Sequence, residues 1–153
     1  GRVRDFEVKD VNNMGAAMAP AAHETLRRFF RDTQTLPADY DRIYTGDLGI
    51  VGTRLLRTLL EQDGFALDNH SDCGMMVFDR ETQNVGAGGS GAGCSAAVFC
   101  AHILPRLCDG RMKRCLLLST GALMSQITSL QGESIPGVAH LVEICAPIKE
   151  EQP

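Results

Sequence analysis

The sequence predicts an α/β layered domain, and three features carry that prediction. Strand-like and helix-like apolar patterns alternate along the chain, the arrangement that layers helices on a sheet. Arg114–Ser119 (RCLLLS) holds a continuous apolar run, the mark of a strand covered on both faces. Ala92–Cys108 reads as a central buried helix, almost free of polar residues before Arg106, with His102 the exception. A helix that is apolar all round needs cover on every side. Something beyond this chain, a missing half of the fold or a partner subunit, is therefore expected to cover it.

The elements follow in order. Asp5–Lys9 is expected to form a short strand, with a turn at Asp10–Asn13. Met14–Asp32 is helical, because Leu26, Phe29 and Phe30 fall at i, i+3 and i+4. Arg27, Arg28 and Arg31 lie between them and share the helix with acids, so they read as a solvated face. Pro20 has no N–H to give, so the helix is expected to start near it or kink there. Thr33–Asp39 is a polar loop, Tyr40–Thr45 a short strand, and Val51–Asp63 a second helix with a stripe of Leu55, Leu56, Leu59 and Leu60. Gly64 is a fitting stop. Asp72–Asp79, with its MMVF run, reads as a strand, and Gln83–Gly93 as a glycine-rich loop. The long helix ends in a turn at Asp109–Arg111. After the Arg114–Ser119 strand, Thr120–Gly137 is a loop and Val138–Cys145 the last strand. The order is β-α-β-α-β-α-β-β. Residues 1–146 form the domain, and Pro147–Pro153 is a polar tail expected to fray.

Composition narrows the function. The 153 residues are 44% hydrophobic and 22% charged, which excludes global disorder. A net charge of −4 leaves no basic footprint, so nucleic acid is not an expected partner. Sixteen glycines point to close backbone contacts. Six cysteines occur without a CxxC or a Cys/His spacing, which argues against zinc and for a reducing compartment. No signal peptide is visible, nor an apolar stretch of the roughly 20 residues that a membrane span needs. The chain starts at Gly1 without an initiator Met, as expected of a fragment.

Several motifs sit where chemistry is usually placed. In GDLGIVG (Gly46–Gly52), Asp47 falls at the carboxyl end of a strand, where α/β folds bind ligands. Its carboxylate is a candidate to accept hydrogen bonds or hold a cation; capping the next helix is the structural alternative. GAGGSGAGCSAA (Gly86–Ala97) brings bare N–H groups to a helix start, a setting that suits anions. No Gly-Lys-Ser/Thr follows, so it is not a phosphate-binding Walker loop. Packing is the stronger reading of these glycines. Cys94 opens that helix, where a thiol pKa is lowered, yet no His is near it in sequence. STGALMS (Ser119–Ser125) and QGESIPG (Gln131–Gly137) add polar turns beside the buried strand. His102 and His140 lie in apolar runs and read as hydrogen-bonded core residues. Asp72 and Cys73 in DCG read as a turn.

These residues resemble a family. GRMKRCLLLSTGAL (Gly110–Leu123) is similar to the last helix–strand–turn of ketoacyl synthase III enzymes. GAGCSAAVF falls where those enzymes carry an Asn loop, and GDLGIVG where they carry a His. The set NNMGAAMAPAA, YDRIYTGDLGIVG, QNVGAGGSGAGCSAAV, STGALMS and QGESIPGVAH resembles the stage V sporulation protein AD family along nearly the whole chain. The resemblance implies one half, the C-terminal half, of a thiolase-like fold, with a mixed sheet layered with helices. It implies a binder of dipicolinic acid that supports its uptake into the spore, with Ca²⁺ as a candidate companion of that ligand and no other cofactor. The implied ligand-binding set is Asp47, Leu48, Gly49, Gly91, Cys94, Ser95, Gly121 and Ala122, with no catalytic residue. Implied partners are the N-terminal half, other stage V sporulation proteins at the cytoplasmic side of the spore inner membrane, and a second copy in a homodimer. A thiolase-like acyltransferase is the rival. It is disfavoured because Asp47 stands where a condensing enzyme needs an imidazole to donate to a thioester oxyanion.

Overall fold

Four strands make one mixed sheet: β1 (Arg42–Thr45), β2 (His70–Asp72), β3 (Arg114–Ala122) and β4 (Gly137–Cys145), in the order β2-β1-β3-β4. β1 runs parallel to β2 and β3, while β4 is antiparallel to β3. The computed structural model describes residues 1–147. Most of the polar tail expected at Pro147–Pro153 therefore lies outside the described residues.

α1 (Met14–Thr33) and α2 (Gly49–Gln62) cover one face of the sheet. α1 begins at Asn13, whose side chain accepts from the Ala16 N–H, and it runs on through Pro20. The helix does not start at Pro20: six helical residues precede it, enough to carry the helix past one missing N–H. Two of the three arginines are solvated as expected, with Arg28 pairing with Glu24 at 2.8 Å and Arg31 reaching Asp63 at 3.5 Å, whereas Arg27 is half-buried. Leu26, Phe30, Leu56 and Leu60 meet Ile43, Leu116 and Leu118 in the larger core.

The other face carries α4 (Cys94–Val98), a π-helical stretch Phe99–Ile103, and α5 (Leu104–Cys108), one after another without a gap. Pro105 explains the widened turn: it cannot donate to the carbonyl of Ala101, which lies inside the π stretch. Val98, Ile103 and Leu107 pack on Tyr44, Cys115 and Leu117. β3 thus sends Leu116 and Leu118 to one core and Cys115 and Leu117 to the other, which is why its sequence is apolar without alternation.

Four expectations are corrected. Thr120–Gly137 is not all loop: β3 runs on to Ala122, and Gln126–Leu130 forms a short helix capped by Ser125. Asp5–Lys9 is no strand: Glu7 takes φ +59°, and only Arg4 bridges to Gly137. The MMVF run is no strand either. β2 stops at Asp72, whose side chain accepts from the Met75 N–H and starts the one-turn helix α3 (Cys73–Met76). The Ala92–Cys108 helix is not buried all round. Only Val98, Ile103 and Leu107 are buried, while Ala96, Ala97, Cys100, Ala101 and Leu104 are exposed. Its apolar face is real but has no cover within residues 1–147. Among the described residues, no helix is long and apolar enough to cross a membrane.

Candidate functional site

β1 and β3 are parallel neighbours, so their carboxyl ends deliver Gly46–Asp47 and Ser119–Ala122 to the same place. The Gly86–Gly93 loop folds back over them. It is pinned by the N–H of Ile50 on the Ala87 carbonyl (3.1 Å) and the N–H of Gly89 on the Gly74 carbonyl (2.7 Å). Gly49 sits at φ +63° with Ala87 against it, a place where a side chain would be strained.

A cavity of about 520 Å³ opens between these pieces. Asp47, Ser90, Gly91, Ser95, Thr120 and Gly121 are on its wall, together with Ser119, Ala122 and the thioethers of Met14 and Met18. Asp47 is its polar centre. Oδ2 accepts from the Ser90 hydroxyl (2.8 Å) and the Gly91 N–H (3.0 Å), and Oδ1 accepts from the Thr120 hydroxyl (3.0 Å). The Thr120 hydroxyl in turn accepts from the Asp47 N–H at 3.0 Å. One carboxylate therefore ties the glycine loop to the end of β3. It does not cap α2; the N-cap position there is Leu48, without a side-chain bond.

Of the eight residues expected at the ligand, Asp47, Gly91, Ser95, Gly121 and Ala122 share this wall. Leu48, Gly49 and Cys94 do not line it. Leu48 is buried in the larger core, and Gly49 turns against Ala87. The Cys94 thiol faces the Gly46 carbonyl at 3.9 Å. Neighbours in sequence cannot all face one cavity, and these three turn away. Nor is the Cys94 thiol acidified by its place at the helix start. Burial, and next Asp47, push its pKa up, so it is a poor nucleophile near neutral pH. Ser90, Ser119 and Thr120 are wall residues that sequence reasoning passed over. The hydroxyl run S-T before Gly121 was the available signal.

A second polar cluster lies beneath the loop. Asp72, only 2% exposed, accepts from the Thr45 hydroxyl (2.7 Å) and from the N–H groups of Leu48 (2.9 Å), Gly49 (3.1 Å) and Met75 (3.2 Å). It caps both α2 and α3. Burial nevertheless holds its pKa above the usual carboxylate value, against the pull of those four bonds. The same burial, with Asp72 alongside, raises the Cys73 thiol to about 12. His70 Nε2 lies 2.9 Å from the Thr45 hydroxyl. Thr45 gives its hydrogen to Asp72, so it accepts from His70, and Nε2 carries the ring proton. The two other histidines read as core residues differ from that reading. His140 is exposed, and His102 is half-buried, edge-on to Tyr44.

Burial, and next Arg57, lower the His70 pKa from 6.5 to about 4. The folded protein then resists a proton that the unfolded chain accepts. This stability is complete above pH 6.5 and is lost as the pH falls from 6.5 to about 4. Replacing His70 with Gln is expected to flatten that window. Urea midpoints measured for both proteins between pH 7 and 4 check this, and parallel curves would remove His70 as the cause.

The fold is a mixed sheet layered with helices, consistent with one half of a thiolase-like fold. The family model described as Stage V sporulation protein AD matches residues 1–145, and the chain belongs to that family. It is 42% identical over 141 residues to Stage V sporulation protein AD of Bacillus subtilis (strain 168), covering 92% of this chain and 41% of that relative. The family is one of sporulation proteins, and the chain spans about two fifths of the relative's length.

Proposed function

We propose that this chain forms part of a binder of dipicolinic acid, a pyridine dicarboxylate, which supports the uptake of that acid into the developing spore. The observation that carries the reading is the state of Asp47. Its carboxylate accepts three hydrogen bonds from the loops around it, so it braces a cavity wall. A condensing enzyme needs a donor at this point to steady a developing oxyanion, and an acceptor works against that chemistry. The wall also carries the hydroxyls of Ser95 and Ser119, candidate donors to ligand carboxylates.

A dianion in this cavity needs positive compensation, because no Lys or Arg is on its wall. Ca²⁺ prefers six to eight oxygen ligands. Among the described residues no cluster of three or more His, Cys, Asp or Glu could hold a metal. These residues do not form a resident calcium cage, and a Ca²⁺ ion would have to arrive with the ligand. The N-terminal half is the other source of compensation, and the exposed apolar face of α4 and α5 suits its docking. Association with other stage V sporulation proteins at the spore inner membrane, and pairing with a second copy, belong to the same reading.

Calorimetry on the intact protein tests it. Dipicolinate is expected to bind, with or without added Ca²⁺, and Asp47→Ala is expected to weaken binding about tenfold or more through loss of the bonds that hold the wall. Absence of heat under both conditions removes the proposal.

A further inference from the structure

A smaller cavity of about 220 Å³ lies beside β2, the edge strand of the sheet, and shares no residue with the Asp47 cavity. α2 supplies Thr53 and Arg57, one turn apart on one helix face. β2 supplies His70, Ser71 and Asp72, and α3 supplies Met75 and Met76. Among the described residues, four buried side-chain polar atoms have no hydrogen-bond partner. Three of them belong to residues of this wall: Thr53 Oγ1, Arg57 Nε and His70 Nδ1. His70 is 6% exposed and Thr53 8%. A buried polar atom without a partner is costly, and native proteins leave few of them. Three on one small cavity define a site with unmet demands.

The demands are specific. Arg57 Nε–H can only donate, and the Thr53 hydroxyl is free to donate. His70 carries its proton on Nε2, where Thr45 takes it, so Nδ1 can only accept. Asp72 brings negative charge to the same wall, although its oxygens already accept from Thr45, Leu48, Gly49 and Met75. A fully ionised anion meets repulsion from Asp72 and from the Nδ1 lone pair. A neutral polar molecule leaves Arg57 without a direct ion-pair partner, since the Asp72 oxygens already serve four other donors. We propose that this cavity binds a small oxyacid monoanion that has one ionised oxygen and still keeps a proton on another, with dihydrogen phosphate as a simple member. The ionised oxygen accepts from Arg57 and Thr53, and the retained proton goes to His70 Nδ1. Met75 and Met76 are half-buried, and flexible thioethers suit the rim of such a site.

The site does not depend on the dipicolinate reading, and its test is separate. In the intact protein, the ring resonances of His70 are followed by NMR near pH 7 while inorganic phosphate is added, with sulfate in parallel. Sulfate matches phosphate in size and shape but keeps no proton at that pH. Phosphate is expected to shift the His70 signals to saturation, and sulfate is expected to leave them in place. Thr53→Val should weaken the phosphate response about tenfold, whereas Thr53→Ser, which restores the hydroxyl, should keep it. An unmoved His70, an equal response to sulfate, or loss of the response in Thr53→Ser would each overturn the site. An unmoved His70 would assign the three atoms to ordered water instead.

Discussion

Asp72→Ala is expected to lower the stability of the intact protein by about 4 kcal/mol, at the upper end of single-residue effects. The carboxylate is buried and accepts four hydrogen bonds, three of them from backbone N–H groups. Its loss strands the first N–H groups of α2, the Met75 N–H of α3 and the Thr45 hydroxyl. Each stranded group costs about 1–3 kcal/mol when water cannot replace the partner. Two effects reduce the total. The carboxylate no longer has to be kept out of water, and the small space left behind can take in a water. Asp72→Asn is expected to cost less, about 2 kcal/mol, because one acceptor oxygen remains while its new NH₂ group faces donors. Urea unfolding reads both effects as a shift in midpoint with an unchanged slope. The damage should also reach the Asp47 cavity, since Leu48 and Gly49 directly follow Asp47. A loss below about 1 kcal/mol for Asp72→Ala would show that these N–H groups have other partners.

Asp72 also shows where sequence reading stops. It lies in a DCG string that looks like an ordinary turn. Its role comes from parallel pairing, which sets Thr45 beside Asp72 across 27 residues of chain. Neither spacing nor periodicity encodes that pairing. Local patterns read well where the local pattern decides. The Leu26–Phe29–Phe30 spacing marked α1, and the Cys115–Leu118 run marked β3. They misled where a side chain ended an element early, as Asp72 ends β2 ahead of MMVF. They misled again at residues 5–9, where Glu7 turns to φ +59° and the bridge to the sheet is made by the preceding Arg4. For the candidate site, the rule that ligands gather at strand ends pointed to Asp47, Gly121 and Ala122, which share one cavity wall. It could not say that Leu48 and Cys94 turn inward, because that depends on how the glycine loop folds back.

The Gly15–Gly52 crossing gives a second large effect, and its sign separates packing from helix propensity. Both glycines are helical, one in α1 and one in α2. A methyl group on Gly15 would lie 2.5 Å from the Leu48 carbonyl oxygen and 3.0 Å from the Gly52 nitrogen. One on Gly52 would lie 2.9 Å from the Gly15 carbonyl oxygen and 3.0 Å from its Cα. Propensity alone favours Ala over Gly in a helix by about 1 kcal/mol. Here the obstructing atoms are backbone, which cannot swing aside, so the two helices must part. Overpacking of this kind costs about 1–3 kcal/mol and occasionally more. Gly15→Ala is expected to lose about 3 kcal/mol and Gly52→Ala about 2 kcal/mol. The double variant should lose clearly less than the two losses combined, because the helices separate once for both methyl groups. A stabilised Gly52→Ala protein, or strictly additive losses, would mean that the helices do not cross at this contact. Parting α1 from α2 would also disturb the Asp47 cavity, because Met14 and Met18 of α1 are on its wall beside Asp47, which precedes α2. Under the proposed function, dipicolinate affinity should therefore fall in step with stability in both single variants.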